Sequence, residues 1–224
     1  MRPLLGLCCC LLFCASLFAA PKQHVVVFGK WTTVKWFVGE DETQLRDIKI
    51  RPLIVDGHNK EFAVGAAHDV TERTFVVQRM FRLNDSLEND EQESRSAKWR
   101  WERSGWLLVD RISGKVQAVP LPGFDAYYST VIWFRDYAAY CGLSDDGKKV
   151  FAMVVQLGKR KPMLKKSIGD AQVADMPDSA CSTPVWQRGP SRVTFAPKND
   201  PKFVYRLRSH AVGLVPEDDE AGEE

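Results

Sequence analysis

Cysteine is scarce in this chain, and its placement limits what it can do. The 224 residues hold six cysteines, and four of them (Cys8, Cys9, Cys10 and Cys14) lie in the first twenty positions. Only Cys141 and Cys181 remain beyond them. No CxxC pair occurs, which excludes the common zinc and thioredoxin-type spacings. Histidine is equally sparse. His24, His58, His68 and His210 form no HExxH and no pair at metal-ligand spacing. GxSxG, GxGxxG and P-loop signatures are missing as well. We therefore expect no metal, no nucleotide, no other cofactor and no catalytic residue. Charge of one sign is not in excess, since 31 basic residues face 29 acidic ones. A hydrophobic content of 45% with 27% charged residues excludes a collagen-like, coiled-coil or wholly disordered chain. No amphipathic helix of convincing length is visible.

The one long apolar run lies at the start. Arg2 gives a positive beginning, Leu4 to Phe18 carries no charge, and Ala19-Ala20 precede the polar Pro21-Lys22-Gln23-His24. This is the order of a signal peptide, assigned to 1–20. The run falls short of the ~20 residues a bilayer span needs, so no stable membrane anchor is expected after cleavage. Leu7 before Cys8 and Phe13 before Cys14 argue against lipidation, which needs a small residue there. The expected location is periplasmic or extracellular. In such an oxidising compartment an even cysteine count predicts a disulfide between Cys141 and Cys181.

Removing the leader changes the charge balance. Residues 217–224 hold six acids, read as an acidic, solvated tail. Without that tail and Arg2, 30 basic residues face 23 acidic ones. Lys159, Arg160, Lys161, Lys165 and Lys166 are the densest cationic cluster, read as a charged turn and a lysine-guarded sheet edge. Export makes nucleic acid an unlooked-for partner.

Between these ends, 21–216 reads as one all-β domain, mainly antiparallel and built of meanders. Segment 24–38 has strand composition, with a bend near Gly29-Lys30. Gly39 to Arg46 is polar and has room for one helical turn. Asp47 to Val55 is a strand in which Pro52, lacking a ladder donor, marks an edge or a bulge. Asp56-Gly57-His58-Asn59 is a turn, and Glu61 to Ala67 and Arg73 to Leu83 are strands. Residues 84–97 are almost devoid of apolar side chains and read as a surface loop. Strands follow around Trp99 to Val109 and Val116 to Leu121, joined by a turn at Arg111 to Lys115. Within 129–168, four short strands alternate with tight turns. Gly169 to Pro184 reads as a connecting loop.

The run Trp133-Phe134-Arg135-Asp136-Tyr137-Ala138-Ala139-Tyr140, followed by Asp145-Asp146-Gly147-Lys148-Lys149, resembles a β-propeller blade. Ser191 to Leu207 is a shorter echo. The resemblance implies propeller-blade-like sheets; a β-sandwich or barrel is the alternative, because 204 mature residues are few for a complete propeller. Trp31 to Val38, with Ile50 to Gly57, resembles an uncharacterised family of exported bacterial proteins. That likeness implies export and no activity.

Candidate chemistry stays bland at most positions. His68-Asp69 has the types for an oriented imidazole but equally reads as a strand end. Asp145-Asp146-Gly147 reads as a turn. The strongest binding signal is aromatic. Trp99 and Trp101 alternate with Lys98, Arg100 and Glu102, which puts both indoles on one strand face. With Tyr127 and Tyr128 they form the candidate ligand-binding set, since flat rings stack on sugars and anchor proteins. Trp106 and Trp133, in apolar runs, are expected in the core. The function expected is non-catalytic binding of an unknown protein or glycan. The alternatives are a hydrolase acting on an envelope glycan or other polymer, and a structural subunit of an envelope assembly.

Overall fold

The computed structural model describes residues 23–37, 45–84, 99–171, 181–197, 201–207 and 214–216. The expected signal peptide, almost all of the 84–97 loop and the acidic tail lie outside them. The described residues form an all-β protein of three sheets, with every strand pairing but one antiparallel.

The first sheet contains β1 (Val26–Phe28), β2 (Thr32–Phe37), β3 (Leu45–Val55), β4 (His58–Asp69), β5 (Thr74–Asn84), β6 (Trp99–Asp110) and β7 (Val116–Val119). It closes on itself. β3 pairs with β2 and β4, β4 with β5, β5 with β6, and a single parallel step, Trp36 opposite Trp101, joins β6 back to β2. The barrel alternative thus holds for five strands of this sheet. The polar segment expected to hold a helical turn already belongs to β3 at Leu45 and Arg46; residues 39–44 lie outside the described set.

Pro52 is not at a sheet edge. β3 is covered on one side by β4 and on the other by β2 up to Ile50 and by β1 from Leu53. Pro52 sits in the gap where β2 gives way to β1. Its carbonyl accepts the Gly29 N–H at 2.9 Å. A strand residue points its N–H and C=O to the same neighbour, so the missing donor falls where no partner needs it. A bulge does lie beside it, between Leu53 and Ile54. The β3–β4 hairpin turns on Asp56 (φ 52°) and Gly57 (φ 78°), the two positive φ values of a type I′ turn, for which Asp-Gly is a preferred pair.

The second sheet is a meander of β8 (Ile132–Phe134), β9 (Tyr137–Leu143), β10 (Lys149–Gln156) and β11 (Leu164–Asp170). The third is another, of β12 (Val185–Arg188), β13 (Ser191–Phe195), β14 (Phe203–Leu207) and β15 (Leu214–Pro216). Both have the four-stranded order of a blade. The sequence alone marks neither β12 nor β15, whose short segments carry little alternation.

Layering follows from β10. Its run KVFAMVVQ is almost wholly apolar, so both faces must be covered. Val150, Ala152 and Val154 pack with Val193 and Phe195 of the third sheet. Met153 and Val155 pack on the other side with Ala138 and Tyr140, against Trp106, Phe124 and Trp133. The second sheet is therefore the middle layer. A third cluster, built on Leu53, Phe75, Val77, Leu107 and Val109, fills the first sheet. Trp106 and Trp133, expected in the core, are half-buried against this cluster and meet edge to face at 5.4 Å.

Cys141, on β9, and Cys181, bridged to Pro197, bring their sulfurs to disulfide distance with Cα atoms 6.3 Å apart, which fits the range for a bridge. Both border the cluster between the second and third sheets.

Candidate functional site

The aromatic set is built by pairing register. Trp99 lies opposite Asn84, Trp101 opposite Arg82, and Arg103 opposite Met80. Met80 in turn lies opposite Phe62. Partners across a ladder share a face, so Phe62, Arg82, Trp99, Trp101 and Arg103 stand on one side of the first sheet. Trp36 joins them through the parallel step to Trp101.

Two loop tyrosines are positioned by local hydrogen bonds. Asp125 Oδ1 accepts the backbone N–H of Tyr127 at 2.8 Å and of Tyr128 at 3.3 Å, an Asx turn. Ser129, buried, donates its hydroxyl to the Cys141 carbonyl at 2.6 Å. The Tyr140 hydroxyl donates to the Pro122 carbonyl at 2.8 Å, and burial pushes that phenol's pKa up. Gly123 (φ 64°) accepts the Leu143 N–H at 2.7 Å; a Cβ there would meet the Leu143 oxygen. The loop is thus sewn to β9, and it presents Tyr127 to Trp36 in a stack with centroids 6.1 Å apart.

The members differ in exposure. Trp99 is 51% exposed, with the Arg82 guanidinium 4.8 Å from its ring. Trp101 is half-buried and meets Phe62 edge to face at 4.8 Å. Tyr127 and Tyr128 are half-buried and 6.3 Å apart. Burial pushes the Tyr127 phenol up to about 12, helped by its hydrogen bond with the Glu102 carboxylate. Arg103 lies 5.2 Å from the Trp36 ring and donates to Gln78 Oε1 at 3.2 Å. Desolvation lowers its pKa. Trp36 and Arg103 were not singled out in the sequence. Trp36 sits in an alternating strand like any other; only its pairing with Trp101 reveals it.

The other candidates are drawn elsewhere. His68 and Asp69 point to opposite faces. His68 Nε2 donates to the Arg135 carbonyl at 2.8 Å and its ring stacks on Trp133 at 6.2 Å, while Asp69 pairs with Arg111. Arg135 holds φ 53°, and the His68 bond fixes this left-handed residue between β8 and β9. Asp146 accepts the Ser144 hydroxyl and the Lys148 N–H, which lowers its carboxyl pKa and closes the turn that ends in Gly147 (φ 69°). Lys165 and Lys166 stand on β11, the outer strand of the second sheet, as edge-guarding lysines do.

A scan against protein-family models and searches of curated proteins and of solved structures found no match. Those comparisons do not bear on the likeness to exported bacterial proteins, and the site's geometry carries the functional reading.

Proposed function

We propose that this is an exported, non-catalytic binding protein whose ligand, a glycan, seats on the aromatic face of the first sheet. The observation that carries the reading is the exposed Trp99 indole, on one sheet face with Trp101 and with a cation against its ring. Indole faces stack on sugar rings, and a few placed polar groups fix orientation. Here the Arg82 guanidinium, against the Trp99 ring, is such a group. Export is supported by the leader pattern of 1–20 and by the Cys141–Cys181 pair, which suits an oxidising compartment.

The test is intrinsic tryptophan fluorescence of the mature protein, titrated with a panel of neutral and acidic oligosaccharides. At least one should shift the emission. Trp99→Ala should weaken that binding about tenfold or more, as loss of an aromatic anchor does. Its unfolding free energy should stay within about 0.5 kcal/mol of the parent, because the residue is a surface one. Trp101→Ala, by contrast, should cost stability through lost packing on Phe62. Unchanged glycan binding by Trp99→Ala would refute the site.

A further inference from the structure

On β3, Lys49 lies opposite Thr33 of β2, and Arg51 opposite Ala63 of β4, which in turn lies opposite Arg79 of β5. Positions 47, 49, 51 and 53 alternate onto one face, which Leu53 and Ala63 bury in the core of the first sheet. The row leaves that core stepwise. Leu53 is fully buried, Arg51 half-buried and Lys49 exposed. Phe62 and Ala63 are neighbours on β4, so this row and the aromatic set stand on opposite faces. Asp47 pairs with Lys35 at 2.6 Å, and Glu61, opposite Leu53, pairs with Arg79 at 2.8 Å. Lys49 and Arg51 have no ion pair among the described residues. Four cations of the row thus meet two acids, and two positive charges are left over.

Arg51 is also held in shape. Its guanidinium carbon lies 3.7 Å from the Phe28 ring centroid and 4.4 Å from that of Trp31. Stacking uses the flat faces of a guanidinium and leaves its in-plane N–H fork, which matches two oxygens of a phosphate or carboxylate. Two rings that fix the fork beforehand reduce the ordering cost of binding. Its Nε–H is buried without an acceptor, and desolvation lowers its pKa with no carboxylate to offset it. A cation so placed is costly until an anion completes it. Lys49 is two positions along the strand, about 7 Å away, so both side chains can converge on one group. Trp31 is 47% exposed and offers a ring surface beside the fork.

We infer that Lys49 and the stacked Arg51 form a binding site for a phosphate monoester, with Trp31 against the group that carries the phosphate. Two uncompensated cations match the nearly double charge of such a phosphate at neutral pH, which a carboxylate or a sulfate ester does not have. The inference is independent of the glycan reading, since it uses other residues on the other face of the sheet.

Backbone amide shifts of the ¹⁵N-labelled mature protein test it, titrated separately with glucose 6-phosphate, inorganic phosphate and glucuronate. Glucose 6-phosphate should move the Thr33, Lys49 and Arg51 amides saturably, and glucuronate should bind severalfold more weakly. Affinity should fall severalfold from about 0.01 M to about 0.1 M salt, where the Debye length shrinks from about 30 Å to about 10 Å. Lys49→Gln, at an exposed position that leaves the fold intact, should weaken binding severalfold. Arg51→Lys, which keeps the charge and loses the fork, should do the same. Inorganic phosphate should bind more weakly than the ester, and Trp31→Ala should remove that difference. No saturable shift in this row would overturn the site, as would unchanged affinity in Lys49→Gln or glucuronate binding as tightly as the ester. Equal affinity for the ester and inorganic phosphate in the parent would overturn the assignment to an ester.

Discussion

Breaking the Cys141–Cys181 pair should loosen the third sheet. The two residues are 40 apart in sequence and border the cluster that joins the second and third sheets. Closing a loop of that length removes denatured-state entropy worth about 4 kcal/mol in the chain-entropy treatment. Native proteins of ordinary stability have only about 5–15 kcal/mol in hand, so this is a large share. With a urea m-value of about 2–3 kcal/mol/M, the midpoint should drop by roughly 1.3–2 M. The assay is urea unfolding followed by tryptophan fluorescence, comparing the oxidised parent, the reduced parent and Cys141→Ala with Cys181→Ala. The reduced parent and the double variant should unfold together, well below the oxidised parent. Trp186, whose indole N–H donates to the Ile132 carbonyl across the two sheets at 3.0 Å, should report the early loss. Two titratable thiols in the protein isolated without reductant, or coincident transitions for all three samples, would refute the reasoning.

Two further outcomes follow from local geometry. Asp110 closes the β6–β7 turn; the hydrogen bond from Arg73, at 2.7 Å, and those from the Ser113 and Ile112 N–H groups hold its carboxyl well below the usual carboxylate range. A depressed native pKa gives stability that is present above the unfolded value of about 3.9 and lost as pH falls below it. Asp110→Asn should therefore lower the thermal midpoint at pH 6, and the gap to the parent should close as pH approaches about 2; a pH-independent gap would contradict this. Gly29→Ala would drive a Cβ into the Pro52 ring, which cannot swing away. A loss of about 1–3 kcal/mol, the usual cost of overpacking, is expected by the same urea assay.

The local conformations were legible because their causes are local. Asp56-Gly57 sets its own turn, and continuous apolar character makes β10 a strand covered on both faces. Lys165 and Lys166 announce an outer strand. The candidate site was legible in half. Alternation puts Trp99 and Trp101 on one face, but it cannot state which ring is covered. That depends on Phe62, two strands away, and on a loop that Asp125 and Ser129 hold down. Trp36 carried no mark of its own, because its role comes from the strand beside it. Pro52 shows the same limit. Its missing donor signalled an interruption, and only the arrival of β1 and β2 on one flank of β3 shows that the interruption lies inside the sheet.

The sequence by itself determined an extended, sheet-built chain and the places where it turns, because period-two burial and turn chemistry act over a few residues. The tertiary structure decided that five strands close into a ring, that the second sheet is the middle layer, and that Trp36 pairs with Trp101 and stacks on Tyr127. Those are contacts between residues far apart in the chain, set by ladder register and by which faces find cover, and no local pattern encodes them.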